Sequence, residues 1–141
     1  MMGEKASQHA QVEVVTVTLN PAIDQTVVIP HFAVGQVNRV EHTMVQPGGK
    51  GVNVATFLAD YGHQVGVTGF LGRANDGTFE NLFHEKRIRD QFVRIAGQTR
   101  TGIKITDPAQ HQTTDINFPG QLPTALDVEK LFAQLMVFES S

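Results

Sequence analysis

The chain has 141 residues, 40% of them hydrophobic and 18% charged, the make-up of an ordinary globular protein with length for one core. A formal net charge of −3, with eleven Lys and Arg scattered along the chain, leaves no basic field for nucleic acid. The absence of cysteine excludes disulfides and thiolate metal sites and fits a reducing compartment.

The opening "MMGEKASQHAQ" is polar and lacks an apolar signal region, and no stretch approaches a membrane-spanning run, so neither secretion nor a membrane span is expected and the cytoplasm is the expected compartment. "VEVVTVTLN" (12–20) is rich in β-branched residues and reads as a buried first strand, followed by an Asn-Pro turn, "NPAID". "TVVIPHF" and "VNRVEHTMV" read as two further extended segments of mixed polarity, separated by a break at "AVGQ". Three glycines and a lysine in "QPGGKG" then lead into a helix from Val52 to Tyr61 that Gly62 stops.

"QVGVTGFLG" reads as an inner strand and "DGTFENLFHEKRI" as an amphipathic helix carrying Phe79, Leu82, Phe83 and the Lys86 stem on one stripe. Three extended pieces follow, "QFVRIAG", "TRTGIKIT" and "QTTDINFPG", the last two forming a hairpin around "DPAQH". Thr124, with Asp127 three residues on, opens a final helix in the manner of a capping box. Alternation of strand and helix predicts an α/β fold with a mainly parallel sheet and helices on its faces. No linker or repeat divides the chain into domains.

The glycine turn is the feature that carries chemistry. Glycines let a backbone approach a ligand closely, and the free N–H groups of a helix start favour an anion there, although purely steric glycines in a tight turn would look the same. A P-loop is excluded because Met44 and Gly51 stand where it needs Gly and Ser or Thr. The dinucleotide fingerprint is excluded because Val54 stands at its third glycine. His9, His31, His42, His63, His84 and His111 never recur at the i, i+4 spacing of a metal pair, and no metal ligand set is expected.

"GGKGVNVA", six residues, Gly62, nine residues and Gly72 together resemble the N-terminal signature of the ribokinase/phosphofructokinase-B family of sugar kinases. "TLNPAID", "GGKGVNVA", "GFLG", "GQTR" and "TDINFPG", in that order, are most similar to the family members that act on fructose 1-phosphate. The resemblance spans residues 13–126. It implies a ribokinase-like fold with a small β lid, formed here by segments near 26–45 and 99–118, and homodimerisation through that lid. It also implies ATP and Mg²⁺ as cofactors and a sugar phosphate as substrate, with fructose 1-phosphate converted to the 1,6-bisphosphate. Tagatose 6-phosphate or fructose 6-phosphate are the alternative substrates, and a non-catalytic sugar-phosphate-binding or dimerising module is the alternative outside enzymes.

Residue by residue, Asp24 resembles the family carboxylate that accepts hydrogen bonds from sugar hydroxyls, a task suited to its lone pairs. Gly48, Gly49, Lys50 and Asn53 resemble the segment lying against the sugar, with a solvated charge as the alternative for Lys50. Arg100 resembles the arginine that reaches the substrate's existing phosphate, as a planar guanidinium can. Gly102 departs from the family, which often carries Asn there. The family's Gly-Ala-Gly-Asp motif, which supplies an anion hole and a general-base aspartate, does not occur in these residues. The chain is therefore expected to be the N-terminal portion of one kinase domain, with its catalytic half beyond Ser141 and no activity by itself.

Overall fold

The computed structural model describes residues 11–139, so the polar opening segment and His9 lie outside the described residues. In chain order the elements are β1 (Val14–Thr18), β2 (Ala22–Val28), β3 (His42–Gly48), α1 (Lys50–Asp60), β4 (Val65–Gly72), α2 (Gly77–Lys86), β5 (Arg89–Asp90), β6 (Val93–Ile95), β7 (Arg100–Asp107), β8 (Gln112–Asn117) and α3 (Ala125–Glu139). They build two sheets.

The first sheet is wholly parallel. β4 pairs with β1 along one edge and with β5 and then β6 along the other. Such sheets need cover on both faces, which explains why every residue of β4 is buried. On one face Val52 and Ala55 of α1 and Phe79 and Phe83 of α2 pack against Val65, Val67 and Leu71. Phe92 stacks on Phe83, with ring centroids 5.7 Å apart and planes 7° from parallel. On the other face Leu131 of α3 packs against Phe70, Val93 and Ile95. Helices thus lie on both faces, and each fully buried Phe or Leu contributes about 1.5–3 kcal/mol of transfer free energy.

The helix ends follow the local signals. Gly62 takes a φ of 89° and its N–H donates to the Ala59 carbonyl at 3.0 Å, closing α1. Thr124 and Asp127 cap α3 reciprocally: the Thr124 N–H donates to Asp127 Oδ2 at 2.8 Å and the Asp127 N–H to Thr124 Oγ1 at 3.1 Å.

The second sheet has the order β3-β2-β7-β8. Its inner pair, β2 and β7, is parallel, and the outer strands are antiparallel to their neighbours. Of segments 26–45 and 99–118, residues 26–28, 42–45, 100–107 and 112–117 are strands of this sheet, which also takes in residues 22–25 and 46–48. One face carries Val27 and Ile105 around a small core with Ile29. The opposite face, by strand alternation, carries Asp24, Thr26, Gly102, Lys104, Asp115 and Asn117. Asp107 closes one end by accepting N–H donations from His31 at 3.0 Å, Phe32 at 2.9 Å, Ala109 at 3.0 Å and Gln110 at 3.1 Å.

Four segments differ from the sequence expectation. The first strand is not buried: β1 lies at the edge of its sheet, Val14, Val15 and Thr16 are half-buried and Val17 is 45% exposed. "NPAID" is not a turn throughout: Pro21 has no N–H to contribute to a ladder, and pairing starts directly after it, so Ala22, Ile23 and Asp24 are strand residues. Residues 37–41 are not extended strand; Asn38 folds this loop on itself, its Oδ1 accepting the Ala33 N–H and its Nδ2 donating to the Ala33 and Gln36 carbonyls. "QFVRIAG" is extended only over Val93–Ile95, because Asp90 Oδ1 accepts the Phe92 N–H at 3.0 Å and turns the chain at residues 91–92 before β6.

Candidate functional site

The two sheets exchange the chain between Thr18 and Ala22, and several element ends meet there. Ala22 faces Gly48 on one neighbouring strand and Arg100 on the other. The start of α1 and the Arg100 side chain therefore flank the beginning of β2. Asp24 lies two residues further on the same face as Ala22 and Arg100. Thr18, Asp24, Gly49, Lys50, Asn53 and Arg100 line one open cleft of roughly 440 Å³. The structure thus brings together five of the six residues singled out by sequence, with Gly48 behind them.

Gly48 is buried and supports Asp24 from beneath: a Cβ at position 48 would collide with Asp24 Oδ2 and lie 2.8 Å from its Cγ. Gly49 takes a φ of 124°, which an L side chain rarely adopts, and places no side-chain cap on α1. No acidic residue stands in the first helical turn. The Asn53 N–H donates to the Gly49 carbonyl at 2.9 Å, so the N–H groups of Lys50, Gly51 and Val52 form the open positive end of the helix. Lys50 is exposed at the first helical position and Asn53 is exposed on the same end.

Arg100 opens β7 from a clamped base. Thr99 is 7% exposed; its Oγ1 accepts the Gly72 N–H at 2.8 Å. Asn75 bonds both backbone groups of Thr99, donating from Nδ2 to its carbonyl at 2.9 Å and accepting its N–H on Oδ1 at 2.8 Å. Arg100 Nη2 makes a long contact to the Asn20 carbonyl at 3.4 Å. Its Nε is buried without a hydrogen-bond partner, and so is Thr18 Oγ1.

Sequence reasoning missed Thr18, Asn75 and Thr99. Thr18 is indistinguishable in sequence from the β-branched residues preceding it. The Asn75–Thr99 clamp joins segments 24 residues apart, a pairing no local pattern announces. Among the described residues no group of three or more His, Cys, Asp or Glu could hold a metal, and no helix is long and apolar enough to cross a membrane.

Residues 12–140 match the model of the pfkB family of carbohydrate kinases. A relative from Rhodobacter capsulatus named 1-phosphofructokinase is 48% identical over 122 residues, covering 86% of this chain and 39% of the relative. Another of that name from Xanthomonas campestris pv. campestris is 49% identical over 108 residues, covering 77% of this chain and 34% of the relative. The solved structure of a "possible 1-phosphofructokinase" from Thermotoga maritima superposes with a TM-score of 0.81 at 37% identity, over 90% of this chain and 41% of that one. Phosphofructokinase-2 from Escherichia coli superposes with a TM-score of 0.82 over 89% of this chain and 41% of that one; at 22% identity the likeness is one of fold. The chain spans less than half the length of each of these relatives.

Proposed function

The chain belongs to the pfkB family of carbohydrate kinases, and on that premise we propose that it forms the sugar-phosphate-binding portion of a 1-phosphofructokinase. The reaction is ATP-dependent conversion of D-fructose 1-phosphate to fructose 1,6-bisphosphate. Relatives of that name at 48% and 49% identity support the choice of activity. The observation that carries the reading in this chain is the convergence of the Asp24 carboxylate, the Arg100 guanidinium and the open start of α1 on one cleft.

Each group then has a task. The Arg100 guanidinium and the α1 N–H groups take the substrate's existing phosphate, a charge-assisted arrangement that fixes one end of the sugar. Asp24, held by the sheet and backed by Gly48, accepts hydrogen bonds from sugar hydroxyls and sets the ring's orientation. Asn53 and Lys50 border the same cleft and supply donors to its rim. Orientation of this kind lowers the barrier by removing translational and rotational freedom before reaction. ATP, with Mg²⁺, supplies the transferred phosphoryl group.

The polar face of the second sheet serves as a lid that limits water at the sugar. Val45 and Ile116, 53% and 44% exposed on its opposite face, are the surface through which two copies pair. A cytoplasmic location accompanies this reading, because ATP is its co-substrate.

A coupled assay on the protein that carries this chain tests the assignment. Higher kcat/KM for fructose 1-phosphate than for fructose 6-phosphate is expected; the reverse order overturns it.

A further inference from the structure

The cleft does not end at Asp24. Asp24 also borders a second open space of roughly 300 Å³ on the polar face of the lid sheet, shared with Gln46, Gly102, Lys104, Asp115 and Asn117. Strand register explains its shape. Asp24 stands opposite Gly102, and Gly102 stands opposite Asn117, so the three positions form one row across β2, β7 and β8. Directly opposed residues share a face and sit within side-chain reach of each other. The middle member of this row has no side chain, which leaves a gap between two polar groups.

Both neighbours border that gap. A Cβ built on Gly102 would lie 3.0 Å from Asp24 Oδ1 and 3.9 Å from Asn117 Oδ1. Gly102 itself is buried, so the floor of the notch is backbone, and its walls are a carboxylate and a carboxamide. A carboxylate only accepts hydrogen bonds, whereas a carboxamide both donates and accepts. The Asn117 atom nearest the gap is Oδ1, so a hydroxyl entering the notch donates to Asp24 and accepts from Asn117 once that carboxamide turns its Nδ2 inward.

From this row we infer that Asn117 is a specificity-determining residue for the sugar, reading one hydroxyl in the Gly102 notch together with Asp24. Asn117 is exposed at the end of β8, outside the apolar clusters, which leaves its side chain room to turn toward the notch. The proposal rests on the sugar-phosphate reading of the cleft and adds to it the position that selects the sugar.

Calorimetric titration of the protein that carries this chain with fructose 1-phosphate and with inorganic phosphate tests both layers. Asn117→Ala is expected to weaken fructose 1-phosphate about five- to tenfold, the equivalent of one neutral hydrogen bond, and to leave inorganic phosphate unchanged. Gly102→Ala, which fills the notch, is expected to weaken the sugar phosphate as well. In a series of analogues each lacking one hydroxyl, the deficit of Asn117→Ala should vanish for one member. Equal affinity of wild type and Asn117→Ala for fructose 1-phosphate, or a deficit that persists across every analogue, overturns the notch while leaving the cleft reading intact. A wild-type chain that binds inorganic phosphate but not fructose 1-phosphate overturns the cleft reading and the notch with it.

Discussion

Gly48 lies directly beneath the Asp24 carboxylate, so closely that a Cβ at position 48 would collide with Asp24 Oδ2. The two residues belong to neighbouring strands, and the absence of a side chain on one fixes the place of the side chain on the other. Gly48→Ala should therefore act through Asp24. Titration with fructose 1-phosphate should show a loss for Gly48→Ala comparable with that for Asp24→Ala, and the double variant should lose no more than the worse single one. Additive losses would separate the two residues.

Arg100→Ala removes a cation whose Nε is buried without a protein partner. Affinity for fructose 1-phosphate and for inorganic phosphate should fall together, by about tenfold or more, because a charge-assisted contact contributes roughly 1.5–3 kcal/mol. In the intact kinase KM should rise more than kcat falls, since the contact exists in ground and transition states alike. Unchanged phosphate affinity would assign Arg100 a purely structural place at the start of β7.

Asn75→Ala should weaken the same ligands without touching them. It strips both partners from the Thr99 backbone, which anchors the strand that presents Arg100. Leaving each buried polar group unpaired costs about 1–3 kcal/mol, so denaturant unfolding should show at least a loss of that size together with reduced phosphate affinity. Lower stability with unchanged phosphate affinity would uncouple the clamp from Arg100.

Asp107 links stability to pH. Burial opposes its ionisation, but N–H donors from Gln110, His31 and Phe32 and the Gln110 side chain outweigh that and hold its pKa below the ordinary 3.8. A depressed folded-state value means that the contribution is complete above the unfolded pKa and disappears as pH falls through the folded one. Thermal melts of wild type and Asp107→Asn should therefore differ at pH 7 and converge as the solution is acidified below about pH 4. A gap that persists through the acid range would show that charge is not what closes this end of the sheet.

How much of this was legible in the sequence varies with the range of the signal. α1, β4, the β7–β8 hairpin and the Thr124–Asp127 cap follow from periodicity and local turn chemistry, and the structure places them where those patterns point. The strand at Ala22–Asp24 did not, because Asn-Pro ordinarily marks a turn and its partners, Gly48 and Arg100, are supplied by distant segments. For the same reason the glycine turn is legible locally as a glycine-led helix start, whereas the Gly102 notch depends on the register that sets Asn117 beside it.

The location of the sugar phosphate is the central claim, and amide chemical-shift mapping on the isotopically labelled chain tests it most directly. Addition of fructose 1-phosphate should move the amides of Asp24, Gly49, Lys50, Gly51 and Arg100 saturably, unphosphorylated fructose at the same concentration should leave them in place, and Arg100→Ala should abolish the response. Saturable shifts that avoid these residues and map elsewhere on the chain, or a response undiminished in Arg100→Ala, would contradict the account.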